Sequence, residues 1–422
     1  MKLRTRVLVL VYLVGFCPVL ASADAADWPR WRGPGDNGSV EAGTYPTRWS
    51  GSEGFLWKAP LPGKGCSTPI VWKEQIILTA PVDGQDAILA FDRAGKELWR
   101  TALGTEKKGK HRNGSGCNPS CVTDGQGIYA CFKSGTLAGL DMQGKLLWKT
   151  NLHQRFGPDN LYWDFGTSPV LTEKCVVMAV MRHGNSCLAA FDKADGQLRW
   201  KADRNYATPN EGDHSYATPI VIRHHDREAV MVWGGQHLTI HDAANGRTLW
   251  SCGDFNPESK TLWPAVASPV VAGDVAVVPY GRGMRLHGIR LTGSGDVTAT
   301  ARLWARDDTG SFCPTPAECK GKVYLLRDRG EIECIEPVTG KTLWAGKLPP
   351  KGASYYASPT VAGGRLYAAR EDGLVYVVGI EGKFEVLSAN DMGERVVASP
   401  VPVDGRLLIR GEKHLFCIGP GQ

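Results

Sequence analysis

The sequence predicts an all-β fold: one eight-bladed β-propeller of four-stranded antiparallel blades, docked by tryptophans and closed by a strand from the N-terminal side. Three observations predict it. A small or hydroxyl residue followed by proline recurs eight times along the 422 residues. Each recurrence leads into short β-branched runs separated by turns. Most units end on an acidic residue, a Gly and a Trp at near-constant spacing. Self-similarity of this kind overrides the two or three domains that length alone suggests.

The dipeptides are Thr68-Pro69, Asn118-Pro119, Ser168-Pro169, Thr218-Pro219, Ser268-Pro269, Thr315-Pro316, Ser358-Pro359 and Ser399-Pro400, at intervals of 50, 50, 50, 50, 47, 43 and 41 residues. Proline suits the first residue of a strand, where its missing N–H costs little. The runs that follow, such as Val270-Val271 and then Val275 to Val278, read as the two inner strands. Turns such as Lys133-Ser134-Gly135 and Asp328-Arg329-Gly330 lead into a third. The unit closes as in Asp192, Gly196 and Trp200, repeated by Asp242, Gly246 and Trp250. Four strands cannot bury both faces of their sheet alone, so like sheets pack face to face around an axis. Trp57, Trp99, Trp148, Trp200, Trp250, Trp304 and Trp344 are the expected docking residues. Truncating Trp200 or Trp250 is expected to cost about 3–5 kcal/mol.

The last unit, from Ser399, supplies only inner strands, and Phe55-Leu56-Trp57-Lys58 is assigned as its missing outer strand. Chain ends that pair in this way leave no free edge at the closure. Blade 5 carries a longer hairpin from Leu291 to Thr300, and blade 7 is expected to place Phe384 where the Trp should be. The domain reading is therefore a signal peptide over 1–23, an irregular lead segment over 24–53 and the propeller over 54–422. The lead segment, rich in Gly and Pro, is expected to lie across the propeller surface. Trp28 within it is expected to tolerate truncation far better than Trp200.

Lys2, Arg4 and Arg6 precede an apolar run from Val7 to Leu20 and then Ala21-Ser22-Ala23, the pattern of a cleaved secretory signal. The run is too short to span a membrane, which predicts a soluble periplasmic or extracellular protein without a transmembrane segment. Removing residues 1–23 lowers the formal charge from +6 to +3. That balance gives no reason to propose a nucleic-acid partner. Eleven cysteines then remain. Cys117 with Cys121, and Cys313 with Cys319, fit either local disulfides or buried thiols, and no metal-ligand spacing is seen.

Loops entering the innermost strands, with the turns between second and third strands, surround one mouth of the central channel, the default site. The loops bring Trp163, Asp164, Asp213, His214, Tyr216, Trp263, Asp307, Asp308, Tyr355 and Tyr356, and the turns bring Arg182, His183, Gln236, His237, Arg282 and Arg329. Of these, Trp163, Asp164, Arg182, His183, His214, Tyr216, Gln236, Trp263, Arg282, Arg329 and Tyr355 are taken as the candidate ligand-binding residues. Aromatic faces, arginines and a few carboxylates on one axis suit a flat anionic ligand. The plainer reading is that these turns are simply solvated and the aromatics plug the channel. His224-His225 reads as a solvated turn. Neither a nucleophile elbow nor a phosphate loop is present, and no catalytic residue is assigned.

From Phe55 onward these Asp-Gly-Trp repeats resemble the PQQ-like (quinoprotein-type) repeat superfamily, and the compact loops resemble its BamB-like members. The resemblance implies that the Asp-to-Trp motif docks each blade on the next. It embraces quinoprotein dehydrogenases, which hold the quinone PQQ with calcium on the channel axis, commonly over an adjacent-cysteine disulfide, and lipid-anchored BamB scaffolds. This sequence has no adjacent cysteines, and Phe16 stands before Cys17 where lipid attachment needs a small residue. The resemblance therefore implies a secreted binding or scaffold propeller, a monomer with a protein or glycan partner and no cofactor. The alternative is a PQQ-dependent oxidoreductase using PQQ with calcium.

Overall fold

The computed structural model describes residues 27–50, 53–350 and 352–419. The signal-peptide expectation for residues 1–23 lies outside them. Each proline-led run folds as the innermost strand of a blade: Ile70–Trp72, Val122–Thr123, Val170–Leu171, Ile220–His224, Val270–Ala272, Ala317–Cys319, Thr360–Ala362 and Val401–Val403. Every one begins a blade of four antiparallel strands, in chain order except for the outermost strand of the last blade, so eight blades result. The middle strands are almost wholly buried, and the outer ones alternate between buried and exposed residues. That pattern is what face-to-face packing of twisted sheets requires. Among the described residues no helix is long and apolar enough to cross a membrane.

Why a hydroxyl recurs at the inner strand is now plain. The backbone N–H of each such residue donates to the hydroxyl of the next blade, in the order Thr68, Ser120, Ser168, Thr218, Ser268, Thr315, Ser358, Ser399 and back to Thr68. The eight bonds span 2.9–3.2 Å and form an unbroken ring. This corrects the register of blade 2: its ring member is Ser120, two residues beyond Asn118.

The outer strands carry the second recurrent device. In every blade the pairing of third and fourth strands slips just before the Trp position, for example between Ala190 and Phe191, and blade 1 has a second slip between Asp86 and Ala87. Such bulges re-aim side chains. Five indoles donate to a carbonyl of the next blade: Trp57 to Arg93, Trp148 to Lys193, Trp200 to Ala243, Trp250 to Thr292 and Trp304 to Pro337. The rings of Trp57, Trp99, Trp148, Trp200 and Trp304 lie over the turn glycine of that blade. At Gly246, whose φ is +75°, a Cβ would fall 2.4 Å from the Trp200 ring. The motif is thus reciprocal, because the Gly of one blade makes room for the Trp of the one before. Asp242 stabilises the same turn by accepting from the Ala244 N–H.

Closure follows the expected route. Phe55–Pro60 pairs antiparallel with His414–Ile418 and completes blade 8. Blade 7 departs from expectation. The bulge register puts Ser388, not Phe384, at the Trp position, and Phe384 instead faces back towards Trp344 of blade 6. The gap between blades 7 and 8 is filled by Tyr45 and Trp49 of the lead segment, packed against Tyr367, Leu407 and Phe416. The longer hairpin of blade 5 also acts on its neighbour, since Gly295–Asp296 adds a fifth, parallel strand outside Trp250-Ser251 of blade 4.

The lead segment is a strap across one end of the channel. Trp28 pairs with Val71 of blade 1, and Thr123 of blade 2 donates to the Pro29 carbonyl. Arg32 donates to the carbonyls of Pro316 and Pro359, in blades 6 and 7. Ser39–Val40 then pairs in parallel with the inner strand of blade 7. Trp28 is 1 % exposed and packs among Val71, Leu78, Val401 and Leu415. The expectation that it tolerates truncation is therefore corrected. The eleven described cysteines are all free thiols, so neither suggested pair forms a disulfide. Burial pushes Cys121 up to about 12 and Cys334 to about 11, which keeps both unreactive at neutral pH.

Candidate functional site

Side chains two residues apart on a strand share a face. The residue two before each ring hydroxyl therefore points down the same channel. These are Cys66, Asn118, Gly166, Tyr216, Val266, Cys313, Tyr356 and Val397, and all eight line one cavity of about 730 Å³. The hydroxyl ring lies below this layer. Half-buried Trp31 of the strap lines both the cavity and a small void beneath the ring, so the channel is a blind well.

The mouth is built by loops that fold over one another. The segment from Lys107 to Asn113 joins blades 1 and 2, and Asp164 pins it by accepting from the N–H groups of Lys110 and His111. Asp164 also pairs with Lys133, both side chains being nearly inaccessible. On the far side Glu371 of blade 7 accepts from Arg112, Asn113, Arg395 and the Ser354 N–H. Burial works against its charge, yet these bonds and the two guanidiniums hold its carboxyl below the usual range. The Asp328 carboxylate accepts from the N–H groups of Phe312 and Cys313, although burial raises its pKa.

Of the sequence-predicted residues, Trp163, Asp164, Tyr216, Arg282 and Arg329 line the well. Trp163 is 39 % exposed, packs edge-on to His111 and donates its backbone N–H to the Tyr216 hydroxyl. The Arg282 guanidinium lies over Phe312 at 4.8 Å. Arg282, Arg327 and Arg329 form no ion pair among the described residues.

The other six lie elsewhere. Arg182 is buried and spends its guanidinium on the carbonyls of Phe156 and Pro158. His183 is exposed on Asp213 at 2.8 Å. His214 is buried, and that burial lowers its pKa. Gln236 takes a positive-φ turn position. Trp263 packs on Tyr280 and Arg285. Tyr355 points into the core between blades 6 and 7, leaving its neighbour Tyr356 to face the channel. His111, Asn113, Phe312 and Trp31 were not singled out as site residues. The Lys107-Lys108-Gly109-Lys110-His111-Arg112 run was a visible signal for the first of these. Among the described residues no group of three or more His, Cys, Asp or Glu is placed to hold a metal ion.

A family model described as outer membrane protein assembly factor BamB matches residues 49–233, 163–311 and 294–383. The chain belongs to the BamB family. Its similarity to the BamB of Salmonella typhimurium is 28 % identity over 204 residues, 47 % of this chain and 44 % of that protein. The chain thus matches less than half the length of this curated relative. Among solved structures, BamB from Moraxella catarrhalis superposes with a TM-score of 0.62 at 13 % identity, over 86 % of this chain and 99 % of that one. A europium-containing methanol dehydrogenase gives a TM-score of 0.68 at 12 % identity, over 92 % and 90 %. Quinohemoprotein alcohol dehydrogenase from Comamonas testosteroni gives 0.64 at 13 %, over 94 % and 81 %. At such identities the likeness is one of fold alone, and the BamB family and the dehydrogenases share it.

Proposed function

We propose that this chain is a secreted, monomeric binding or scaffold propeller that receives a protein or glycan partner at the channel mouth and performs no chemistry. Membership of a family described by outer membrane protein assembly supports the scaffold reading and a periplasmic or extracellular location. The observation that carries the proposal is the state of the carboxylates. Asp164 accepts from two backbone N–H groups and Lys133, and Glu371 from two arginines, an amide and an N–H, while Asp328 accepts one N–H at each oxygen. Calcium takes six to eight oxygen ligands. To enlist Asp164 or Glu371 it would have to displace bonds that build the mouth itself. These commitments support a reading without a quinone and calcium.

The test is thermal unfolding of the mature protein with added pyrroloquinoline quinone and calcium, alongside dye-linked oxidation of short alcohols. A bound ligand raises the melting temperature by mass action. No shift at micromolar quinone and no turnover are expected. A saturable rise accompanied by alcohol oxidation would overturn the proposal in favour of the oxidoreductase.

A further inference from the structure

The ring of hydroxyls has a property that blade docking does not use. Each oxygen accepts its neighbour's backbone N–H, while its own proton finds no acceptor among the described residues. All eight residues are buried. A hydroxyl carries one donor, and a buried donor left unused costs free energy. Six of the eight, Thr68, Ser120, Ser168, Thr218, Ser358 and Ser399, line the well in consecutive blades, and their protons call for an occupant with acceptor oxygens around most of its rim.

We infer that the well binds the carboxylate-bearing end of a glycan, a terminal uronic acid. This deepens the binding reading above and rests on it. A pyranose carries oxygens around its edge in one plane, whereas an extended peptide offers carbonyls along a single line. Sugar faces also stack on aromatic rings, and the well supplies Tyr216, Tyr356 and, beneath the ring, Trp31. The strap makes the well blind, so it accepts a chain end and not a chain passing through. Of the carboxylates lining the well, Asp164 and Glu331 are paired with Lys133 and Lys347, and Asp328 accepts two backbone N–H groups. Arg282, which also donates to the Leu262 carbonyl, and Arg329 are exposed at the rim without ion pairs among the described residues and set the sign: guanidinium forks match a carboxylate.

Calorimetric titration of the mature protein with trigalacturonate tests this, with maltotriose and a hexaglutamate peptide as comparators. The expected result is saturable binding of trigalacturonate at least tenfold tighter than either comparator. Arg329→Gln, an exposed side chain with no bond to lose among the described residues, should weaken it at least fivefold with unchanged melting, and Ser168→Ala with Thr218→Val should weaken it further. Equal or tighter binding of hexaglutamate overturns the glycan assignment and leaves the binding-propeller reading standing. Equal binding of maltotriose removes the role of the arginines, and so does wild-type affinity in Arg329→Gln. Binding of none of the three means that water alone fills the ring, and the inference fails. Failure of the binding-propeller reading has a different signature, the quinone-dependent turnover described above.

Discussion

Trp28→Ala separates a strap that merely drapes over the propeller from one that is part of its core. The side chain is 1 % exposed, its ring covers Gly33, and its indole N–H donates to the Trp31 carbonyl at 3.3 Å. It packs against residues from both chain ends, Val71 and Leu78 of blade 1 and Val401 and Leu415 of blade 8. Removing a buried Trp side chain costs about 3–5 kcal/mol, transfer and cavity together. With an unfolding entropy of about 2.1 cal/mol/K per residue over about 390 ordered residues, that corresponds to a melting temperature lower by about 4–6 °C. Differential scanning calorimetry of the mature protein reads this directly. Trp250→Ala, wholly buried between blades 4 and 5, should fall by a similar amount, and Trp163→Ala, 39 % exposed, by about 1 °C or less. A Trp28→Ala protein melting within a degree of wild type, while Trp250→Ala falls as expected, would refute the claim that the strap is core.

Two further outcomes follow from ring closure and from buried imidazoles. Deleting residues 54–61 removes the outer strand of blade 8 and should lower the midpoint of the whole unfolding transition; an unchanged midpoint with only a small local signal would break the closure argument. Burial, helped by Arg204, lowers His241 to about 4, and burial with Arg302 and Arg285 lowers His287 to about 3. Below the unfolded value of about 6.5 the unfolded chain takes up protons that the folded one refuses, so stability falls with pH between about 6.5 and 4, by about 1.4 kcal/mol per unit for each histidine. His241→Gln should reduce that slope by about one proton in urea titrations, and an unaltered slope would mean that His241 is accessible when folded.

The fold was legible because its determinants are local and repeated. A hydroxyl and a proline start each inner strand, and a turn Gly and a Trp finish each blade, so one unit could be checked against seven others. The failures fell where a position is filled from far along the chain. Nothing near Ser388 announces that Trp49, over three hundred residues earlier, occupies the gap between blades 7 and 8. Nothing near Trp28 announces that it is shared by the two ends of the chain. In the same way Asn118-Pro119 mimicked the repeat, and only the hydrogen bonds of the ring show Ser120 to be its member.

The site was less legible, and the reason is a matter of register. Position in an entering loop does not say which way a side chain points, so of the neighbours Tyr355 and Tyr356, both legible in that loop, the first is the sequence-based candidate and the second is the residue in the channel. Strand period does say it. Counting two residues back from the ring hydroxyl picks out all eight residues of the wall, Cys66 to Val397, without reference to loop length. The mouth above obeys no such rule, because Asp164 ties the loop before blade 3 to the one before blade 2, and Glu371 ties that same loop to blade 7, far along the chain. The two levels therefore separate by origin: the wall is inherited from the repeat, and the rim is individual to this chain. Specificity among members of one fold has to arise at the second level, where Arg282, Arg329, His111 and Trp163 stand. Substitutions at the rim should change which ligand is chosen, whereas substitutions in the ring should change how tightly any ligand is held.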